Sequence, residues 1–221
     1  MRTLVLEPQH VVGKFPGGVA ALLGLVALAA VGLPEIWFLV QHIDTIAHEG
    51  AHAFLGSSFG RRVDSVRLKK DGTGGTDLAG AQGSSVAVGF IGYLGPSAFG
   101  LIAAALIAHG LIAATLWIGV VLLLILLPAV RGVFTVAVVA GFGALLFMVV
   151  RYAPALLETL TAYGLSWVLL LSGVRTVLQH GTGAGDAKAL RQLTHLPCVL
   201  WFALWMVGTV LALAIGCILL V

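Results

Sequence analysis

Residues 43–54 read IDTIAHEGAHAF and carry an H-E-x-x-H pattern inside an otherwise apolar stretch. Residues four apart lie on one face of a helix, so His48 and His52 can point at a single ion. Glu49 projects beside them, where a carboxylate can take a proton from metal-bound water. Two imidazoles suit zinc, and a catalytic zinc needs a third protein ligand and an open position for water. The pattern therefore predicts a Zn²⁺ site whose third ligand comes from elsewhere in the chain.

The alternative interpretation is a pair of helix histidines that hydrogen-bond within the protein and bind no metal. Polar groups are expensive in a membrane-length apolar segment, and two histidines beside a glutamate favour the metal site. Asp44 lies one turn before His48 on the same helix face. Asp44 can accept a hydrogen bond from a ligand imidazole, act as a ligand itself or simply border a wet cavity. The role of ligand is the least favoured of the three.

The composition indicates a polytopic membrane protein. The chain has 221 residues, of which 60% are hydrophobic and 10% charged, and its mean hydropathy is +1.09. A water-soluble domain of this size needs more polar surface, and no polar block of domain length is present. We therefore expect one membrane-embedded domain over residues 1–221. The net charge of +3 reflects topology better than binding to nucleic acid, because the basic residues flank apolar spans.

The apolar segments predict an all-α membrane protein with about seven transmembrane helices. These spans cover about residues 16–34, 35–60, 84–108, 111–127, 132–150, 155–178 and 197–221. The first span also resembles a signal peptide. Because another apolar segment follows at once, we favour a retained helix that inserts with the second as a hairpin of helices. The third span contains Gly95-Pro96, where we expect a break in the helix.

Two polar segments interrupt the spans. Residues 63–78 predict a small β-hairpin, because apolar and basic residues alternate and Asp71-Gly72 is a tight-turn dipeptide. This hairpin is either a solvated loop or an open strand edge that can pair with an extended substrate. The second segment has several glycines and then Asp186, which is a natural N-cap for the helix behind it.

The distribution of basic residues predicts the orientation. With a cytoplasmic N-terminus, seven spans place eleven of the twelve Lys and Arg residues on one side and only Arg151 on the other, as the positive-inside rule requires. We therefore expect a multi-pass plasma-membrane protein whose C-terminus lies outside. The same assignment brings the H-E-x-x-H helix and the segment of Asp186 to the cytoplasmic face. His52 lies about 13 Å below that face, judged from the helical rise to Arg61.

Taken together, these features resemble the site-2 protease family of intramembrane zinc metalloproteases. The likeness is greatest to its short bacterial branch without a PDZ domain. The motifs that carry it are HEGAHAFLGSSFGRRV at 48–63, DGTGGT at 71–76, GYLGPSAFG at 92–100 and GAGDAKALRQLTHLP at 183–197. The H-E-x-x-H and Gly-Asp-Ala elements are specific, whereas the spans between them are generic.

The resemblance implies roles for individual residues. His48 and His52 would be zinc ligands, and Glu49 would be the general base. The third ligand would be Asp186; the resemblance, more than the spacing, ranks it above His180 and His195.

The resemblance also implies hydrolysis of transmembrane protein substrates within the lipid bilayer, near the cytoplasmic face. Candidate substrate-binding residues are Gly95, Pro96, Thr73, Gly74 and Gly75. Better-known members have Asn-Pro-Asp-Gly around the ligand Asp and an Asn after the Gly-Pro, and both Asn residues help to hold substrate. This chain instead has Gly185 before Asp186, and it has Phe99 at the second position.

Two other classes of protein remain open. One is a non-catalytic membrane subunit that binds membrane-protein partners and has a structural or vestigial metal site; Glu49→Gln would then leave function intact. The other is a metal or proton transporter, which needs paired polar residues along a path through the bilayer. The fourth to sixth spans offer almost none.

Overall fold

The computed structural model describes residues 14–80, 85–180 and 185–221. It is mostly helical and includes one small antiparallel sheet, as expected. The elements in chain order are α1 (Gly17–Gly32), α2 (Pro34–Ser58), β1 (Arg62–Leu68), β2 (Gly74–Ala79), α3 (Ser85–Ala108), α4 (Ile112–Leu126), α5 (Val133–Tyr152), α6 (Ala155–His180), α7 (Asp186–Thr194) and α8 (Cys198–Leu220). Residues 1–13, the first residue of the predicted third span and two of the glycines before Asp186 lie outside the described residues.

The described helices give five or six candidate membrane spans, so the predicted seven are not confirmed. Helices α3, α4 with the short 3-10 turn after it, α5, α6 and α8 are each long and apolar enough to cross a bilayer. Helices α1 and α2 pass this test only as a pair, and they are bent by 99° at the break between them. Because this bend is far from an antiparallel arrangement, the predicted hairpin of helices is not confirmed. With 16 residues, α1 is about 24 Å long, which is short for a hydrocarbon core of about 30 Å.

Helix α6 lies among α1, α3 and α8 and holds α1 and α3 through backbone acceptors. The indole N–H of Trp167 donates to the carbonyl of Ala20 in α1 at 3.0 Å. The hydroxyl of Ser166 donates to the carbonyl of Gly100 in α3 at 2.9 Å. Because both donors are buried, these bonds satisfy polar groups that have no access to water. They also fix the positions of the two helices that flank α2.

Helix α3 runs without interruption from Ser85 to Ala108, so the predicted break at Gly95-Pro96 is wrong. A proline inside a helix removes one N–H donor, and neighbouring helices can hold such a helix together in a membrane protein. The close packing expected at this position is present. A Cβ added to Gly95 would lie 2.6 Å from the Cβ of Ala51 and 2.9 Å from the carbonyl oxygen of Ala47 in α2. Glycine here therefore allows α2 and α3 to approach each other.

Strands β1 and β2 form the predicted hairpin, in a register that runs from Arg62 opposite Ala79 to Leu68 opposite Gly74. At the turn, the N–H of Gly72 donates to the carbonyl of Lys69 at 3.1 Å, and Gly72 has a φ of 84°.

The two edges of this sheet differ. The backbone N–H of Arg131 donates to the carbonyl of Val66 at 3.0 Å, and Val66 forms a parallel bridge with Val130. The connection between α4 and α5 therefore covers the outer edge of β1. Within the described residues, β2 pairs with β1 alone.

Candidate metal centre and its cavity

Three ligand-type side chains converge at the face of α2 that carries the H-E-x-x-H pattern. The Nε2 atoms of His48 and His52 are 3.2 Å apart. The Oδ2 atom of Asp186, 134 residues after His52, lies 3.1 Å from each of these nitrogens. A tetrahedral zinc site with bonds of about 2.0 Å separates its ligand atoms by about 3.3 Å. The three atoms therefore lie at the mutual distances that one such ion requires.

The structure also separates Asp186 from the other candidates for third ligand. Within the described residues, His48, His52 and Asp186 are the group whose ligand atoms could hold one ion. His180 borders the same cavity but is not part of that group. His195 lies at the C-terminal end of α7 with a φ of 60°. In the sequence-based prediction, both rank below Asp186 as the third ligand.

The surroundings of His52 orient its ring for metal binding. Its Nδ1 lies 2.7 Å from the carbonyl oxygen of Val88 in α3, and a carbonyl can only accept, so Nδ1 carries the proton. This tautomer leaves the lone pair of Nε2 free for an ion. Gly92 faces both imidazoles: an added Cβ would lie 2.7 Å from Nε2 of His48 and closer still to Nε2 of His52. The donor atoms therefore border a space that only glycine leaves open.

Asp186 is placed by a glycine turn and by the packing of α7. It is the first residue of α7, and the N-cap is Gly185, which has a φ of 56°. The interpretation of Asp186 as the N-cap is therefore wrong, and its carboxylate is available to the histidines. The buried side chains of Ala187 and Leu190 belong to a cluster with residues of α3, α6 and α8. Burial alone would raise the pKa of the Asp186 carboxyl, but the two adjacent imidazoles, when they are protonated, hold this pKa below its ordinary value.

The hairpin contacts Glu49 directly. The hydroxyl of Thr76 in β2 donates to Oε2 of Glu49 at 2.7 Å. A Cβ added to Gly74 would lie 2.7 Å from Oε1 of the same carboxylate. Glu49 is buried, with 5% of its surface exposed. The sequence did not identify Thr76, although it ends the quoted DGTGGT motif, because only the folded hairpin shows which hydroxyl reaches α2.

The metal centre lies in a cavity of about 490 Å³ between α2, α3, α6, α7 and the hairpin. Three of the predicted substrate-binding residues, Thr73, Gly74 and Gly75, line it. Gly95 lies in the contact between α3 and α2, and both Gly95 and Pro96 are buried. A contact of Gly95 or Pro96 with substrate therefore stays a prediction.

Asp44 and Tyr93 also line this cavity, whereas Phe99 does not. Asp44 accepts a hydrogen bond from Thr176 of α6 at 2.7 Å, and this bond does not involve His48. The ring of Tyr93 packs edge-on against that of His48, with their centres 4.9 Å apart. The sequence did not identify this contact. Phe99 borders a separate apolar cavity with Phe54.

The profile of a family described as Peptidase M50B-like matches residues 21–216 of the chain. The match covers most of the 221 residues, so the chain belongs to this family, which is the site-2 protease family. The family resemblance drawn from the motifs is confirmed, and the membership supports a membrane metallopeptidase. No match to a curated protein or to a solved structure was found. The absence of a PDZ domain stays a prediction.

Proposed function

We propose that this protein is an intramembrane zinc metalloprotease that hydrolyses peptide bonds of membrane-spanning substrates near the cytoplasmic face. The observation that carries the proposal is the triangle of His48, His52 and Asp186 ligand atoms, with sides of 3.1 to 3.2 Å, beside the carboxylate of Glu49 in one cavity. The family membership points to the same class of reaction.

The donor set favours zinc. Two imidazole nitrogens and one carboxylate oxygen are typical of a catalytic zinc site, in which a fourth position is left for water or substrate. His48 and His52 would hold the ion through Nε2, and Asp186 through Oδ2. A bound zinc ion supplies Lewis acidity toward a carbonyl group and lowers the pKa of water.

Glu49 acts as the general base and then as the general acid. Its carboxylate takes a proton from the attacking water and delivers it to the nitrogen of the leaving amine. Thr76 holds Oε2 of this carboxylate by a hydrogen bond, which fixes its orientation. Thr76 is therefore a positioning residue.

The hairpin offers a surface for an extended substrate. A helical substrate has its amides tied up in hydrogen bonds and has to unwind before a carbonyl can reach the centre. Thr73, Gly74 and Gly75 line the cavity, and β2 has no partner other than β1 among the described residues. An unwound segment can pair with this edge through its backbone and thereby enter the cavity as a strand.

The segments that surround the site connect predicted membrane spans, which supports a position near a membrane face. The hairpin contacts the connection between α4 and α5, and its residues line the same cavity as Asp186. The basic residues of these segments favour the cytoplasmic side of the plasma membrane.

The decisive experiment compares cleavage of a single-pass membrane substrate by the wild type and by Glu49→Gln in detergent or liposomes. We expect Glu49→Gln to lose about 10² to 10⁴-fold in rate, the contribution of a general base, and to keep its zinc. Glu35→Gln is the matched control, because Glu35 is exposed in the first turn of the same helix. Equal cleavage by wild type and Glu49→Gln would instead support a non-catalytic subunit.

A further inference from the structure

The charge of the cavity is one-sided. Five of the nine carboxylates of the chain line it; they are Asp44, Glu49, Asp71, Asp77 and Asp186. Over residues 14–80, 85–180 and 185–221, no Lys or Arg lines it. The negative charges of two of these five carboxylates, Glu49 and Asp186, balance the charge of a divalent ion. Of the remaining three, Asp71 and Asp77 are exposed and leave the cavity negative even with an ion bound.

Asp44 is the buried member of these three. Only 3% of its surface is exposed, and Oδ2 accepts the hydrogen bond from Thr176. Its other oxygen, Oδ1, is inaccessible to solvent and has no hydrogen bond of normal geometry within the described residues, although the hydroxyl of Ser172 interacts with the carboxylate. A buried carboxylate oxygen without a partner is unfavourable, because it has lost its hydration without compensation. A cationic group that enters the cavity beside Asp44 would offset this loss of hydration.

The basic side chains near Asp44 and the hairpin have other interaction partners. Arg175 precedes Thr176 on α6, but it donates to the carbonyl of Val31 and its guanidinium lies 4.5 Å above the ring of Trp37. Lys69 interacts with Asp71 at the exposed tip of the hairpin. His180 borders the cavity as an imidazole and not as a permanent cation. The counter-charge for Asp44 is therefore not a Lys or Arg of the described chain.

We propose that the cavity selects a substrate segment with a lysine or arginine close to the scissile bond, and that Asp44 is the buried counter-charge for that side chain. This inference rests on the proposed function and names its class of substrate. The exposed carboxylates of Asp71 and Asp77, which line the same cavity, attract such a side chain to the entrance. Membrane spans carry Lys and Arg at their cytoplasmic ends, so a cut near that face brings a basic residue to the centre.

The first test measures binding without cleavage. Three fluorescent single-span peptides differ at a single residue next to the cytoplasmic end of the span. This residue is Lys in the first peptide, Gln in the second and Glu in the third. They are titrated at fixed ionic strength into Glu49→Gln protein in detergent. We expect the Lys peptide to bind about tenfold or more tightly than the Gln peptide, as for a hydrogen bond to a charged group, and the Glu peptide to bind more weakly than both.

The second test assigns the preference to Asp44. In the Glu49→Gln background, Asp44→Asn should reduce the ratio of Lys to Gln affinities to less than about threefold. The matched control is Asp64→Asn, because Asp64 is an exposed hairpin carboxylate paired with Arg62 at 2.7 Å. This control should keep the full ratio. Zinc content and thermal melting verify that the Asp44→Asn protein is folded. The first test uses protein with Asp44 intact, so it is informative even if the Asp44→Asn protein does not fold.

The outcomes separate this inference from the proposed function. Equal binding of the Lys and Gln peptides, no binding of any peptide, or a preference that survives Asp44→Asn would overturn the inference. If the peptides bind with the expected preference but the protein with Glu49 intact does not cut them, the proposed function fails and charge selection stands.

Discussion

At the scale of single residues, the candidate metal centre consists of three ligand-type atoms supplied by two helices that are far apart in the chain. We expect His48→Ala, His52→Ala and Asp186→Ala each to lower zinc content from one ion per chain to a small fraction after dialysis. Removal of one of three protein ligands leaves an incomplete coordination shell. Inductively coupled plasma mass spectrometry measures the zinc content of the purified proteins. The control is His109→Ala, which alters an exposed histidine after α3. A wild type without zinc would refute the zinc site.

Thr76 fixes the carboxylate of Glu49, so its hydroxyl should matter for the rate and not for metal binding. We expect Thr76→Val to lower kcat/KM about tenfold, the usual effect of losing one hydrogen bond, at unchanged zinc content. Thr76→Ser, which keeps the hydroxyl, should restore most of the rate. Full activity in the valine variant would show that the orientation of Glu49 is set by other contacts.

Gly92 provides the space in which the two imidazoles meet. We expect Gly92→Ala to displace His48 and His52 and to weaken zinc binding, because the added methyl group would overlap both Nε2 atoms. A competition titration with a chelator measures the change in zinc affinity. Gly141→Ala in α5 is the control, since a Cβ at that position would meet nothing within 4 Å. Equal affinities of the two variants would contradict the prediction.

The candidate site could be predicted from the sequence only where its residues are close in the chain. The spacing in HEGAH is enough to place two histidines on one helix face and Glu49 beside them. Asp186 was ranked above the other ligands by family resemblance, because spacing says nothing about a residue 134 positions away. Thr76 and Gly92 were not identified as part of the site, since their contacts with α2 exist only in the folded chain.

At the scale of elements, the packing of α3 on α2 supports the metal centre, because α3 carries Gly92 and Gly95. We expect Gly95→Val to lower the free energy of unfolding by about 1 to 3 kcal/mol, the usual effect of overpacking. The larger side chain would overlap Ala47 and Ala51. Thermal melting in detergent measures the loss. Gly164→Val in α6 serves for comparison, since a Cβ there would have open space. No difference between the two variants would refute the role of this contact.

The sequence predicts correctly those elements whose structure depends on residues close together in the chain. The hairpin was predicted because alternation and an Asp-Gly turn act over a few residues. The break at Gly95-Pro96 was wrong, because packing against neighbouring helices keeps α3 continuous. The 99° bend between α1 and α2 was missed, since hydropathy reports how apolar a segment is and not its direction.

At the scale of the whole molecule, the five candidate spans that follow the hairpin determine the side of the C-terminus. If the hairpin is cytoplasmic, five crossings place the C-terminus outside, whatever α1 and α2 do. The side of the N-terminus then depends on whether these two helices cross once or twice. We expect two crossings and a cytoplasmic N-terminus, in keeping with the basic residues around the first span.

Labelling of single cysteines from either side of the membrane tests this topology. With Cys198 and Cys217 replaced by serine, Asp71→Cys should react only from the cytoplasm and Ala153→Cys, between α5 and α6, only from outside. A cysteine placed at residue 2 should react from the cytoplasm. Reaction of Asp71→Cys from the outside would reverse the orientation, and reaction at residue 2 from the outside would make α1 and α2 one broken span.

The distance along the chain between the two imidazoles and the carboxylate has a consequence for biosynthesis. Residues 48 and 52 leave the ribosome long before residue 186, so a half-made chain has two ligands and cannot complete the centre. On the proposed function, the nascent chain would therefore stay inactive until α6 has been inserted and α7 has docked.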